Sequence, residues 1–288
     1  MSFKVLDQLS LPGGAGANED ALAHDGRAAV VMDGATMLGP GLMPGDSDAA
    51  WIARFGARRI LAHLQDGAGP RAALRRALGD TKKSFEALRR APPEDMWQTP
   101  CASMMLVVET DDGAELLWFG DCAALMEGAD GQVTVAGKVF ASRAAEAQRA
   151  VALAPDMAEE KDWRVALRGH RNRINSGGNW LFTPDPGAAA HAGRRLVTLP
   201  PGALMLLASD GFLALASDYG AYDAGSLLAA ARDKGLAALG AQLRAIENAD
   251  SARTRFARFK TSDDATALLL RRDDSVRVDA RQDIAAIT

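Results

Sequence analysis

The stretch Ala28-Ala29-Val30-Val31-Met32-Asp33-Gly34 decides the fold, because an acidic residue and a glycine directly follow a short apolar run. Such a run is typical of a buried strand. Carboxylates at strand ends can meet at one sheet edge, where each pair repels by roughly 4 kcal/mol at ~4 Å and an effective dielectric of ~20. A divalent cation relieves that repulsion, and oxygen ligands favour Mg²⁺, Mn²⁺ or Ca²⁺. Three further acidic groups adjoin apolar runs in the same way: Asn18-Glu19-Asp20, Ser209-Asp210-Gly211 and Ser262-Asp263-Asp264.

The segment 18–33 has the pattern of a β-hairpin, with Asp25-Gly26 at its turn. A two-residue turn at that position brings Glu19, Asp20 and Asp33 to the same end of the hairpin. The implied pairs are His24 with Arg27, Asp20 with Val31, and Asn18 with Asp33.

A second pairing concerns Asp210, which follows the apolar run 203–208, and Asp263, which precedes the run 265–270. If these runs are antiparallel neighbours, both acids lie at the same edge of their sheet. A core of two facing sheets then places them opposite the acids of the hairpin at 18–33.

The rest of the chain alternates helix pairs with strand meanders, which is typical of an α+β layered fold. Asp46 or Ser47 can cap a helix with apolar residues at helical spacing, and Pro92-Pro93 ends a second helix. Helices are predicted after 47 and at 71–90, 211–216, 224–233 and 236–248. Strands are predicted at 3–9, 102–109, 114–119, 123–127, 132–135, 195–199, 203–208 and 265–271.

Composition excludes several classes of protein. The 288 residues are 48% hydrophobic and carry a net charge of −4. The negative charge argues against a basic surface for binding nucleic acid. No apolar run approaches the roughly 18 residues that span a bilayer, and the first residues lack the apolar core of a signal peptide. Cys101 and Cys122 have no paired spacing and are expected to be buried reduced thiols. We therefore expect a cytoplasmic protein without nucleic-acid or membrane partners.

The order of the acidic groups resembles that of the metal-dependent type-2C (PPM-type) protein serine/threonine phosphatase family. The resemblance spans about residues 4–272. It is closest to bacterial members, which often lack the histidine that animal members carry after Asp-Gly; here that position is Ala35. The matching stretches are Asn18-Glu19-Asp20, Val31-Met32-Asp33-Gly34, Phe119-Gly120-Asp121, Ala208-Ser209-Asp210-Gly211-Phe212 and Asp263-Asp264-Ala265-Thr266.

The resemblance implies an α+β fold, an αββα four-layer sandwich of two antiparallel sheets flanked by helix pairs. It implies one domain over 1–288, with a helical flap-like insert at about 142–178. It also implies two Mn²⁺ or Mg²⁺ ions and a water that they activate. The implied ligands are Asp33 between both ions, Asp210 and Asp263 at the first, Glu19 and the Gly34 carbonyl at the second, and Asp20 acting through water or a hydrogen bond.

The sequence departs from the family pattern in three places. Ala15 stands where the family has its phosphate-binding arginine, and no arginine follows Gly120-Asp121. A third-metal aspartate of bacterial members is expected near Gln98, where only Glu94 and Asp95 are close. In the flap region, Arg168, Arg171 and Arg173 are candidates for binding the substrate phosphate, because a guanidinium suits a phosphate dianion. The alternative for these arginines is a solvated helix face.

Two functions of different classes follow. The first is a metal-dependent phosphatase that hydrolyses phosphoserine or phosphothreonine in a phosphorylated protein substrate, with Asp33 and Asp210 as catalytic residues. The second is a catalytically weak phosphatase-like module that binds a phosphorylated partner, which the missing arginine at position 15 motivates. A nuclease is disfavoured by the negative net charge.

Overall fold

The computed structural model describes residues 2–140, 160–258 and 260–273. The strands of this part of the chain form two five-stranded antiparallel sheets. The first sheet has the order β1 (Ser2–Leu11), β10 (Ala265–Asp273), β9 (Leu204–Ala208), β6 (Ala123–Glu127) and β7 (Val133–Ala136). The second sheet has the order β2 (Asp20–His24), β3 (Ala28–Gly34), β4 (Ala102–Thr110), β5 (Gly113–Phe119) and β8 (Gly193–Thr198).

Helices cover the outer face of each sheet. The second sheet carries α1 (Asp48–Gln65) and α2 (Pro70–Leu88). The helix α3 (Glu160–Arg171) lies beside a 3₁₀ turn at Met96–Gln98. None of the described helices combines the length and apolar composition that a bilayer span requires. The first sheet carries α4 (Asp210–Ser217), α5 (Ala224–Lys234) and α6 (Leu236–Ala249).

Three apolar layers hold these elements together, one between the two sheets and one under each group of helices. This arrangement confirms the predicted αββα sandwich. It differs in one detail, because the short helix α4 joins the pair α5 and α6 on the face of the first sheet. Helix α4 begins at Asp210, and Ser209 alone separates it from the end of β9 at Ala208.

The helix α1 forms because its sequence supplies both a cap and an apolar stripe. The Ser47 hydroxyl accepts a hydrogen bond from the Ala50 backbone N–H at 3.1 Å, which satisfies one of the free donors of the first turn. Ile52, Gly56 and Ile60 recur at helical spacing and are buried against the second sheet. The predicted cap and helix are confirmed.

The hairpin of β2 and β3 forms as predicted, but its predicted register is wrong by two residues. The predicted pairs were His24 with Arg27, Asp20 with Val31, and Asn18 with Asp33. The observed register pairs His24 with Ala29, Leu22 with Val31, and Asp20 with Asp33.

The turn explains the change of register. The Asp25 carboxylate accepts hydrogen bonds from the backbone N–H groups of Arg27 at 3.0 Å and Ala28 at 2.9 Å. Asp25 thus pairs with Ala28 instead of entering the turn, and Gly26 takes the first central position with φ of 85°. Because the shift is an even number of residues, each side chain stays on its predicted face.

The remaining element predictions are confirmed within about two residues, including the antiparallel pairing of β9 with β10. The predicted flap at 142–178 contains α3, and residues 141–159 lie outside the described part of the chain. Cys101 and Cys122 are both buried and unpaired with each other, as predicted.

Candidate metal centre

The alternation of apolar residues directs two acids into the space between the sheets. In β3, Val31 packs against the opposite sheet and Met32 faces the helices. Asp33 therefore continues the inward series at the end of the strand. In β2, Leu22 also packs inward, and Asp20 lies on the same face two residues earlier. The alternation that buries apolar side chains between the sheets thus also points the carboxylates of Asp20 and Asp33 into that space.

Three carboxylates meet at this edge of the sandwich. Asp33, Asp121 and Asp210 each offer one oxygen, and these oxygens lie within 4.8 Å of one another. Asp33 comes from β3, Asp121 follows β5, and Asp210 begins α4. The Ser103 hydroxyl donates a hydrogen bond to Asp121 at 2.6 Å, which fixes one carboxylate of the group.

The electrostatics of the cluster are unfavourable without a cation. Burial raises the pKa of Asp33 well above its ordinary value, and the neighbouring carboxylates of Asp210, Asp20 and Asp263 raise it further. Burial also raises the pKa of Asp20 to about 8, although hydrogen bonds from Ser209 and Thr266 oppose the shift. Converging carboxylate oxygens are the ligands that Mg²⁺ and Mn²⁺ prefer, so these residues fit a divalent-cation site.

Asp20 is held by a hydrogen bond instead of belonging to the three-acid cluster. The Ser209 hydroxyl donates to the Asp20 carboxylate at 2.8 Å and accepts from the Thr266 backbone N–H at 3.0 Å. Both Asp20 and Ser209 are buried. Ser209 therefore joins β2 of one sheet to β10 of the other, directly beside the acids.

Asp264 positions Glu19 from the opposite sheet. Its carboxylate accepts the backbone N–H of Gly13 at 2.7 Å and the backbone N–H of Glu19 at 2.6 Å. The Glu19 carboxylate in turn accepts hydrogen bonds from the hydroxyls of Ser47 at 2.6 Å and Thr36 at 2.5 Å. Glu19 is thus fixed at both its backbone and its side chain. This bridging role of Asp264 was not predicted from the sequence.

A lysine also reaches the acidic centre. The Lys260 ammonium donates to the Asp263 carboxylate at 2.9 Å and to the Thr36 hydroxyl at 2.8 Å. Burial alone would lower the pKa of Lys260, but the charges of Asp263, Glu19 and Asp33 more than offset this and raise it. The lysine therefore carries its positive charge within the site.

Gly34 occupies a space that no side chain could share. A Cβ at this position would lie 2.5 Å from the Ala49 carbonyl oxygen and 2.6 Å from the Glu19 carbonyl oxygen. The Gly34 backbone N–H donates to that same Glu19 carbonyl at 3.1 Å. The absence of a side chain lets the end of β3, the start of α1 and Glu19 approach each other closely.

The three candidate substrate-binding arginines have different environments. Arg168 donates twice to the Leu38 carbonyl, at 3.1 and 2.8 Å. Arg171 donates to the Thr36 carbonyl at 2.7 Å, and Arg173 is exposed. Arg171 is the one of the three that contacts Thr36, whose hydroxyl contacts Glu19. Phosphate binding by Arg168, Arg171 and Arg173 stays a prediction.

Neither Asp121 nor Lys260 was among the predicted metal ligands, although Phe119-Gly120-Asp121 is one of the stretches that match the family. The sequence lacks the third-metal aspartate of bacterial members near Gln98, and the nearby Asp95 instead accepts a hydrogen bond from the Asn172 side chain at 2.6 Å. Asp121 belongs to the cluster, and the topology could have revealed it, since β3 and β5 both run antiparallel to β4 and end at the same edge. For Lys260, in an irregular loop, no sequence signal was available.

The family model described as "Protein phosphatase 2C" matches residues 16–244. No curated protein sequence matches the chain.

Solved structures of bacterial phosphatases share the fold. The Mycobacterium tuberculosis serine/threonine phosphatase PstP/Ppp has a TM-score of 0.57 and 17% identity, covering 95% of this chain and 100% of that one. The PstP catalytic domain in complex with two manganese ions has a TM-score of 0.54 and 17% identity, covering 95% and 99%. The phosphatase MsPP from Mycobacterium smegmatis, in complex with cacodylate, has a TM-score of 0.51 and 17% identity, covering 93% and 99%.

These likenesses to solved structures, all at low identity, confirm the sandwich fold, and the family model covers most of the chain. The resemblance drawn from the ordered acidic motifs is thereby confirmed, together with the class of enzyme that it implied. The chain belongs to the protein phosphatase 2C family of metal-dependent serine/threonine phosphatases.

Proposed function

We propose that this protein is a phosphatase that uses two Mn²⁺ or Mg²⁺ ions to hydrolyse phosphoserine and phosphothreonine in a phosphorylated protein substrate. The observation that carries the proposal is the group of carboxylate oxygens of Asp33, Asp121 and Asp210, all within 4.8 Å of one another at the edge of both sheets. Family membership supports the reaction class.

The roles of the acids follow from their positions. Asp33 is central, because its pKa is raised by the negative charges of four neighbouring carboxylates. These belong to Asp210, Asp20, Asp263 and Asp121. We assign Asp33 to both ions, Asp210 and Asp263 to the first, and Glu19 with the Gly34 carbonyl to the second. Two bound cations would lower the pKa of a shared water and neutralise charge on the phosphate in an in-line displacement.

The residues around the ligands hold them in place before any ion binds. Asp20 acts through its hydrogen bond with Ser209, and Asp264 fixes the backbone of Glu19. Ser103 orients Asp121. Ligands that are already oriented favour metal binding, because the entropy lost in ordering their side chains is lost on folding and not on binding the ion.

The wider setting of the proposal rests on the family. We propose one type-2C phosphatase-like domain over residues 1–288, with a flap-like insert at about 142–178 that contains α3. Of the candidate arginines, Arg171 is the one that we favour for contact with substrate, because it is bonded to the Thr36 loop beside Glu19. We further propose a cytoplasmic signalling role without nucleic-acid or membrane partners.

The first test is the hydrolysis of an aryl phosphate with Mn²⁺. Asp33→Asn and Asp210→Asn should each abolish turnover, because each replaces a charged ligand with a neutral amide. The matched control is Asp130→Asn, which changes an exposed carboxylate in the turn between β6 and β7 and should leave turnover unchanged. A chelator should abolish the wild-type rate.

Two results would argue against the proposal. Undiminished turnover in both Asp33→Asn and Asp210→Asn would show that these carboxylates do not hold the catalytic ions. A wild-type protein without turnover on aryl phosphate and phosphopeptides, but with tight capture of a phosphorylated partner, would favour the catalytically weak binding module instead.

A further inference from the structure

Lys260 links the two halves of the acidic centre through a short chain of hydrogen bonds. Its ammonium donates to Asp263, which precedes β10, and to Thr36, which follows β3. The Thr36 hydroxyl then donates to Glu19. A positive charge of the chain itself therefore contacts one proposed ligand directly and is connected to a second through one hydroxyl.

We propose that Lys260 is a built-in cation that competes with the first divalent ion for the Asp263 carboxylate. The inference rests on the metal centre of the proposed function. The ammonium stabilises the Asp263 carboxylate before metal binds, and it must leave Asp263 before the first ion can bind there.

Charge and geometry both support competition. An ammonium and a divalent cation repel each other, and both are attracted by the same carboxylates. The ammonium bonds the Asp263 oxygen Oδ1, so a metal ion reaching that oxygen must displace it. The Lys260 side chain is 39% exposed, and its flexible stem can carry the charge towards solvent.

The competition is confined to one side of the site. Lys260 bonds Asp263, a proposed ligand of the first ion, whereas it is connected to Glu19, a proposed ligand of the second ion, through the Thr36 hydroxyl. The two ions should therefore bind with unequal affinity. The first ion, which must displace the ammonium from Asp263, binds more weakly than the second ion, which Asp33, Glu19 and the Gly34 carbonyl hold. Occupancy of the centre then depends on the supply of metal.

The experiment is a calorimetric titration of the chelator-treated protein with Mn²⁺, with no substrate present. Lys260→Met removes the charge and keeps a flexible chain of similar length. The weaker Mn²⁺ site should tighten by roughly tenfold or more in this variant. Lys260→Arg keeps the charge and should retain weak binding. The matched control, Lys82→Met, removes an exposed lysine 4.0 Å from Glu86 on α2 and should bind as wild type does.

Thermal unfolding provides a second readout that is independent of the titration. In chelator, Lys260→Met should melt at a lower temperature than wild type, because the carboxylates lose their cation. In saturating Mn²⁺ the difference should vanish or reverse. A lower melting temperature in both conditions, with unchanged Mn²⁺ affinity, would show a purely structural lysine and overturn the inference.

The outcomes separate this inference from the proposed function. Mn²⁺ affinity that is unchanged or weaker in a folded Lys260→Met variant overturns competition, even if wild-type turnover of aryl phosphate is normal. A weaker affinity would instead mean that Lys260 orients Asp263 for the metal. A wild-type protein that binds no Mn²⁺ overturns both the inference and the proposed metal centre.

Discussion

Gly34 shows how a single residue controls the geometry of the centre. Its position is surrounded by the carbonyl oxygens of Ala49 and Glu19. Gly34→Ala would force these groups apart, and we expect it to cost about 1–3 kcal/mol of stability, as overpacking does elsewhere. Mn²⁺ affinity should fall as well, because the backbone that moves carries Asp33 and Glu19. Thermal unfolding and Mn²⁺ titration would measure the two effects.

A second glycine provides the control for that substitution. A Cβ on Gly14 would meet no atom within 4 Å. Gly14→Ala should therefore change neither the melting temperature nor the Mn²⁺ affinity appreciably. If Gly34→Ala behaved like Gly14→Ala, the tight packing around the end of β3 would have no part in shaping the metal centre.

At the residue scale, acids at strand ends were predictable and their partners were not. The sequence marks Asp33 and Asp210 because each adjoins an apolar run with a following glycine. Asp264 looks equivalent to Asp263 in the sequence, yet it bonds the backbone of Gly13 and Glu19. That difference depends on which way two adjacent side chains point after an irregular loop, and no local pattern encodes this direction.

At the scale of elements, the segment between α6 and β10 is organised by one carboxylate. Asp250 accepts backbone hydrogen bonds from Thr254, Arg255 and Phe256, and it pairs with Arg258 at 2.6 Å. Both side chains of the pair are less than 10% exposed. This segment leads directly to Lys260 and Asp263, so its order bears on the metal centre.

Asp250 predicts a pH dependence of stability. The backbone N–H of Arg255 first, and then Arg258, hold the pKa of Asp250 well below its usual range. A carboxyl group with a lowered folded pKa contributes stability above its unfolded pKa of about 4, and that stability is lost as the pH falls further. Asp250→Asn should therefore lower the melting temperature at pH 7, and the deficit should shrink towards about pH 3.

An exposed pair of the same type is the control. Asp233 also pairs with an arginine, Arg232, at 2.7 Å, but both side chains are more than half exposed. Such pairs contribute little, so Asp233→Asn should melt close to wild type at either pH. A deficit for Asp250→Asn that is equally large at both pH values would show that the charge of Asp250 is not what organises the segment.

The hairpin of β2 and β3 shows what local pattern can and cannot specify about an element. Its existence and the faces of its side chains followed from alternation, whereas its register depended on a side chain. The sequence Asp25-Gly26 suits a two-residue turn, but the Asp25 carboxylate captures the following backbone N–H groups and moves the turn by one residue. A competing local hydrogen bond of this kind changes register without changing the hydrophobic pattern.

At the scale of the whole molecule, the metal centre depends on the apolar layer between the sheets. Leu207 of β9 lies in that layer, whereas its neighbour Leu206 faces the helices. Truncation of either fully buried leucine to alanine should cost about 2–5 kcal/mol. Only Leu207→Ala should also weaken Mn²⁺ binding, because the acids from the two sheets must meet across the layer that it fills.

The two variants are matched in chain position, residue type and burial. A difference in their Mn²⁺ affinity therefore reports the effect of the apolar layer between the sheets. Chemical denaturation gives the stability and calorimetry gives the Mn²⁺ affinity of the folded protein. Equal losses of Mn²⁺ affinity in Leu206→Ala and Leu207→Ala would mean that the spacing between the sheets does not set the spacing of the ligands.

The pairing of β1 with β10 has a consequence for the synthesis of this protein. Glu19 and Asp33 leave the ribosome well before Asp263 and Asp264, and Gly13 is bonded to Asp264. A growing chain that stops before β10 has neither Asp263 nor the carboxylate that fixes Glu19. Contacts so distant in sequence are slow to form, because a long loop must be closed first. The order of translation thus keeps the nascent protein without a finished metal centre until β10 has been made.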